Sequence, residues 1–203
     1  YSLSGTSNST NLEKNTISYS KLLGKTLTKI ADDYSFECIT AAMGIGTGLE
    51  EYYKKYKSRY IDVGIAEEHA VTYAAGLAAA GKKPLVVLYS TFFQRAYDQV
   101  FHDVLLQKLP VIFCLDRAGV AGSDGPTHHG AYDIAYMRCI PNMIVSAPMN
   151  ESELRNLMYT AQAHNKNPFT IRYPRGKGVQ IEWETEMELV EIGSGRTICE
   201  GEE

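Results

Sequence analysis

Cysteine is scarce in this chain, and the four present (Cys38, Cys114, Cys139 and Cys199) show no C-x-x-C spacing. Cys38 and Cys114 fall inside apolar, strand-like runs, which reads as packed, reduced thiols and points to a cytoplasmic setting. Charge of one sign is also lacking: the formal net charge is only −4, which offers nothing to nucleic acid or an acidic membrane surface. No apolar run approaches the roughly 20 residues needed to span a bilayer. The opening YSLSGTSNSTNLEKN has neither the apolar stretch of a signal peptide nor the amphipathic pattern of a transit peptide. His128 and His129 have no partners at metal-ligand spacing, which argues against zinc. There is no G-x-x-x-x-G-K-[ST] and no G-x-G-x-x-G at a strand–helix junction; GIGTG at Gly44–Gly48 reads only as a glycine-rich turn. What remains is 203 residues with 44% hydrophobic content, enough for one domain with a real core.

Residues 1–17, rich in Ser, Thr and Asn, read as a linker or frayed start, and 18–178 as the domain. From 179 to 203 the chain turns acidic and irregular, like a linker toward a further domain. Within the domain, Tyr19, Leu22, Leu23, Leu27 and Ile30 recur at helical spacing. A strand is expected at Phe36–Ala42, a helix at Leu49–Tyr56 and a strand at Tyr60–Val63. Glu67–Ala80 reads as a helix stopped by Gly81, and Pro84–Tyr89 as a strand covered on both faces. One helix from Thr91 to Lys108 would bury Phe93, Tyr97, Val100, Phe101, Val104 and Leu105. Strand Pro110–Leu115, a short helix Ile134–Arg138 and strand Met143–Ser146 follow. Asn150 and Glu153 then start a helix that runs to about His164, and Phe169–Tyr173 is the last strand. This alternation predicts an α/β fold: a mostly parallel six-stranded sheet with helices on both faces.

Ligands in such sheets bind outside the carboxyl ends of the strands. That rule selects four loops: Gly64–Glu68, Tyr89–Arg95, Arg117–His128 and Pro174–Gly178. The third lies within DRAGVAGSDGPTHHG (Asp116–Gly130), where glycines let backbone N–H groups approach a ligand. Arg117 and Arg175, each following a strand, would suit a dianionic phosphate. Glu67 stands nearest a strand end, placed to exchange a proton with a ring nitrogen; helix-dipole complementation explains Glu68 as well or better. Phe93 fits the buried stripe, whereas Phe92 falls off it and is either free to stack on a flat ligand or a further core aromatic. Arg95 lies one turn on. His128 carries an imidazole able to move protons or bond a hydroxyl. Arg172 and Arg138 read as solvated, and His102 as structural.

Four segments in order, YIDVGIAEEHAVTYAAGLA, YSTFFQRAYDQVFHDV, LDRAGVAGSDGPTHHGAYD and IRYPRG, resemble the 1-deoxy-D-xylulose-5-phosphate synthase family. DGPTH alone is also similar to transketolase. The resemblance implies the pyrimidine-binding domain of a thiamine diphosphate- and Mg²⁺-dependent transferase. Its reaction joins pyruvate to D-glyceraldehyde 3-phosphate with loss of CO₂, giving 1-deoxy-D-xylulose 5-phosphate for isoprenoid and thiamine biosynthesis. By that resemblance Glu67 faces N1′ of the aminopyrimidine, Phe92 stacks on it, and Arg95 orients the active site. Tyr89, Arg117 and Arg175 match the pocket for the acceptor's phosphate. Asp124 and His128 match the catalytic pair near the reacting carbonyl. A homodimer is implied as well. The family's GDG…N motif for Mg²⁺ and diphosphate is absent from these residues, so metal ligands are expected in an N-terminal domain that this chain lacks, and the chain alone is expected to be inactive. Two alternatives stand beside this reading: the β subunit of a 2-oxo-acid dehydrogenase, and a non-catalytic interaction module of the same fold.

Overall fold

The computed structural model describes residues 16–201 except 181, 196 and 198; the expected N-terminal linker lies, up to residue 15, outside the described residues. Six strands form one sheet: β1 (Glu37–Thr40), β2 (Tyr60–Asp62), β3 (Pro84–Tyr89), β4 (Ile112–Asp116), β5 (Ile144–Ser146) and β6 (Phe169–Arg172). Their order is β2-β1-β3-β4-β6-β5, and every pairing is parallel. The helices are α1 (Tyr19–Asp33), α2 (Glu50–Lys55), α3 (Glu67–Ala79), α4 (Ser90–Phe93), α5 (Tyr97–Gln99), α6 (Asp133–Arg138) and α7 (Glu151–Ala163).

Alternation along the strands divides the interior into two layers. Leu85 and Val87 of β3 face a layer with Leu22, Leu27 and Leu154, whereas Val86 and Leu88 face one with Val71, Phe93 and Val104. Both faces are therefore apolar, and β3 and β4 are the continuous hydrophobic runs that this demands. The helix starts follow their capping residues. Ser18 accepts from Lys21 N at 3.4 Å, and Asn150 accepts from Glu153 N at 3.0 Å while Glu153 bonds back to Met149 N. All four cysteines are free thiols, with Cys38 and Cys114 buried as the strand pattern implies. Among the described residues no helix is long and apolar enough to cross a membrane.

Residues 90–105 depart from the single regular helix their periodicity suggests. After α4 the chain tightens into a 3₁₀ turn (Gln94–Ala96), passes through α5 and widens into a π turn (Val100–Leu105), where Leu106 N bonds Phe101 O at 3.0 Å. Tightening and then widening keeps Phe93, Ala96, Val100, Val104 and Leu105 buried and turns Tyr97 outward; packing against α3 and the sheet sets the phase. β4 begins at Ile112, later than expected. Pro110 has no N–H for a ladder, and Val111 N is taken by Leu109 O at 2.8 Å.

Two polar assignments also change. Arg172, which reads as a solvated arginine, donates from Nε to Oδ2 of the buried Asp133 at 2.8 Å and ties α6 to β6. The acidic segment after Gly178 contains no helix or strand among its described residues, yet it lies along α7. The buried Arg155 donates to the carbonyls of Trp183 and Thr185, Asn156 accepts from Glu188 N, and Thr160 accepts from Val190 N at 2.8 Å. Polar side chains at near-helical spacing on α7 thus supply the backbone partners that an extended strand would otherwise find in a sheet.

Helix α1 crosses the loop after β1 at backbone distance. A Cβ on Gly24 would lie 1.9 Å from the Gly48 carbonyl oxygen, and Gly48 itself has φ +75°. Gly24→Ala is therefore expected to cost about 1–3 kcal/mol through forced separation of two backbones, read as a lower urea midpoint at constant m-value; an unchanged midpoint would show that α1 can retreat.

Candidate active site

The carboxyl ends of β1, β2, β3, β4 and β6 converge, and the register Tyr89↔Asp116 and Leu115↔Arg172 sets three exits side by side. At β2, Asp62 Oδ1 accepts from Ala42 N at 2.8 Å and from Gly64 N at 3.0 Å, binding the β1 and β2 exits together before α3 begins. Glu67, the first residue of α3, is only 2% exposed, while its neighbour Glu68 points to solvent. A carboxylate at that position gains from the helix dipole, and its charge is met directly: Arg95 Nη1 donates to Oε1 at 2.6 Å. Side chains three apart eclipse in a 3₁₀ turn, which places the Arg95 guanidinium 4.7 Å from the ring centroid of Phe92.

Phe92, half-buried beside the fully buried Phe93, is stacked with Tyr89 at 5.7 Å and 20°. His128 meets both rings, with centroids 5.2 Å from Phe92 and 6.2 Å from Tyr89. The Arg117 guanidinium covers the Tyr89 ring at 3.8 Å. Arg117 Nε then donates to Asp124 Oδ2 at 2.8 Å, and Arg175 Nε approaches the same oxygen at 2.9 Å. All eight residues singled out from the sequence are thus connected: contacts run from Glu67 through Arg95, Phe92, Tyr89, Arg117 and Asp124 to Arg175, and His128 packs against Phe92 and Tyr89.

The electrostatics differ along that line. The hydrogen bond from Arg117, helped by Arg175, holds the Asp124 carboxyl below its ordinary range, so it is an anion at neutral pH. Burial raises the Tyr89 phenol, keeping it neutral. Burial likewise pushes the Asp116 carboxyl up to about 6. A cleft of about 670 Å³ opens beside the arginine end, lined by Lys21, Gly46, Arg117, Arg175 and Lys177. A second cleft, of about 580 Å³, is lined by Met43, Ile45, Gly46, Tyr60 and Tyr89.

Gly46 belongs to both clefts, and the GIGTG turn that contains it was underestimated by motif reading. The Gly46 carbonyl accepts from Arg117 Nη1 at 3.0 Å, and a Cβ there would lie 1.8 Å from the Tyr89 hydroxyl. The available signal was positional: the turn leaves the carboxyl end of β1, so the rule that selected the other loops applies to it too. His129, by contrast, braces its own loop, its Nδ1 accepting from Ala121 N at 2.9 Å. Among the described residues no group of His, Cys, Asp and Glu is arranged to hold a metal ion.

Comparison with known proteins agrees with this architecture. The sequence profile of the family described as transketolase, pyrimidine binding domain, matches residues 15–179. The chain is 58% identical to a 1-deoxy-D-xylulose-5-phosphate synthase of Cytophaga hutchinsonii over 91% of its own length and 29% of the relative's. It is 54% identical to that of Thermosynechococcus vestitus over 92% of its own length and 30% of the relative's. It therefore spans about three-tenths of the curated relatives it matches. Among solved structures, a split-gene transketolase described as an inactive β4 tetramer superimposes with TM-score 0.69 at 27% identity, covering 79% of this chain and 52% of that one. A Pichia stipitis transketolase complexed with sedoheptulose-7-phosphate gives TM-score 0.73 at 20% identity over 84% of this chain and 29% of that one, a likeness of fold. Sheet order, the line of polar residues at the strand ends and the profile match converge on one assignment: the chain belongs to the transketolase pyrimidine-binding domain family.

Proposed function

We propose that this chain is the pyrimidine-binding domain of a 1-deoxy-D-xylulose-5-phosphate synthase and supplies one side of a thiamine diphosphate site. In that role it serves the condensation of pyruvate with D-glyceraldehyde 3-phosphate and the loss of CO₂. The observation that carries the reading is the continuous contact line from the buried Glu67, paired with the half-exposed Arg95, to the Arg117–Asp124–Arg175 cluster. On this reading the line joins a proton-exchanging carboxylate to a two-arginine anion site along one surface.

The residues at the Glu67 end fit an aminopyrimidine. A buried carboxylate matches the hydrogen-bonding edge of the ring, and the half-buried Phe92 offers a flat apolar surface beside it. When bound, thiamine diphosphate supplies the carbon nucleophile and the electron sink. Glu67 would hold or release a proton at a pyrimidine ring nitrogen, while Arg95 keeps the carboxylate oriented. Mg²⁺ and the diphosphate are assigned to protein outside this chain.

At the other end, Arg117 and Arg175 form the seat for the acceptor's phosphate. Their Nε groups are engaged by Asp124, so the phosphate is met by Nη donors. Asp124, bound to both arginines, and His128, packed on the aromatic column, would bond the acceptor's carbonyl and hydroxyl groups. Tyr89 backs the arginine and closes the pocket. A cytoplasmic location suits the free thiols. We take the working form to be a homodimer, because Ile65, 83% exposed beside the Glu67 end, leaves apolar surface for a second chain to cover.

Two outcomes follow for a full-length enzyme carrying this domain, and one for this chain alone. Glu67→Gln lowers kcat by roughly 10²–10⁴, and exchange of the cofactor's C2 proton, followed by NMR, slows in parallel; exchange at the wild-type rate would refute the assignment. Arg117→Ala or Arg175→Ala each raise KM for glyceraldehyde 3-phosphate about 10- to 100-fold and leave KM for pyruvate within about twofold, so equal effects on both substrates would remove the phosphate role. The 203-residue chain assayed by itself with both substrates, cofactor and Mg²⁺ shows no turnover; product formation would disprove the need for a complementary domain.

A further inference from the structure

One buried charge at the strand ends has no part in the chemistry above. Asp116 closes β4 with a side chain that is 0% exposed. Side chains at successive strand positions point to opposite faces, so a following arginine would ordinarily turn away from it. Arg117 instead has φ +60°, the left-handed region that non-glycine residues enter only against steric cost. The turn brings its guanidinium back over the strand end, where Nη1 donates to Asp116 Oδ1 at 3.0 Å. The same Nη1 reaches the Gly46 carbonyl, and Nε reaches Asp124.

These three acceptors differ in kind. Gly46 offers a neutral carbonyl. Asp124 lies on a loop and is shared with Arg175. Asp116 is the one anion anchored in the sheet itself. Its second oxygen has no hydrogen-bond partner among the described residues. A buried, half-satisfied carboxylate does not favour folding, and its gain must lie in what it holds.

We propose that Asp116 is a positioning residue: through Nη1 it aims the Arg117 guanidinium into the cleft and so sets affinity for the acceptor's phosphate without touching substrate. The inference rests on the reading of Arg117 as a phosphate ligand. Around Asp116 stand Ser20 of α1, Tyr89 of β3, Cys114 of β4 and Tyr173 after β6, and among the described residues Arg117 is the cation in direct contact. Burial raises the carboxyl, opposed by the Ser20 hydroxyl and Arg117, to about 6, so the anchor is charged at neutral pH and loses its charge as pH falls below that value.

The test is a double-mutant cycle in the full-length enzyme. Asp116→Asn raises KM for glyceraldehyde 3-phosphate at least about tenfold while kcat and the KM for pyruvate stay within about twofold, and the double variant with Arg117→Ala is no worse than Arg117→Ala alone. Additive effects, or equal changes for both substrates, overturn the positioning role and leave the reading of Arg117 intact. An Arg117→Ala variant with normal KM removes that reading, and this inference with it. If Asp116→Asn fails to fold, the wild-type enzyme answers by NMR. The Arg117 Nε–H resonance must shift with the same midpoint, near pH 6, as the Asp116 carboxyl carbon; a resonance indifferent to that titration overturns the proposal.

Discussion

A parallel sheet buried on both faces leaves polar chemistry nowhere to go but the strand ends, and that constraint organises the whole molecule. β3 and β4 carry apolar side chains into both layers, so a charge in mid-strand would be unsolvated and unpaired. At the carboxyl ends the ladder stops, glycines and turns become possible, and charged side chains find partners. Asp116 marks the boundary: it is the last strand residue, fully buried, and already needs Arg117 to compensate it.

Register turns that constraint into a site. Because Tyr89 pairs with Asp116 and Leu115 with Arg172, the loops leaving β3, β4 and β6 begin within a few ångströms of one another. Side chains about 30 to 60 residues apart in sequence then meet, several of them on the glycine-rich connection between β4 and α6. Local backbone irregularities supply the final aim. The 3₁₀ turn at Gln94–Ala96 sets Arg95 over Phe92 and against Glu67, and the left-handed turn at Arg117 folds its guanidinium onto Tyr89. Both irregularities sit where the contact line needs them, as expected when packing and function share a segment.

The site divides naturally into two electrostatic halves. At one end a buried carboxylate is balanced by a half-exposed arginine. At the other, two arginines share one carboxylate, so cationic donors face the cleft. The aromatic column of Phe92, Tyr89 and His128 separates them with apolar faces. The chain covers about three-tenths of its relatives' length.

Much of this was legible in the residues alone. Strand and helix types follow from periodicity, and the cap at Asn150 from local hydrogen-bond chemistry. The eight candidate residues that meet in the fold could be singled out because strand ends are where a buried sheet can keep charge, and because four motifs occur together in order. Three things required the tertiary structure. The phase breaks in residues 90–105 come from packing against α3, a non-local term that periodicity cannot contain. The importance of Gly46 comes from the approach of Tyr89 and Arg117, residues 43 and 71 positions away in the sequence. The pairing of Arg172 with Asp133 and the docking of residues 183–190 on α7 likewise depend on which surfaces the fold brings together. Composition and spacing determine which side chains can be buried or must be paired; only the folded chain decides with whom, because each partner is chosen by the distance and desolvation that the finished packing creates.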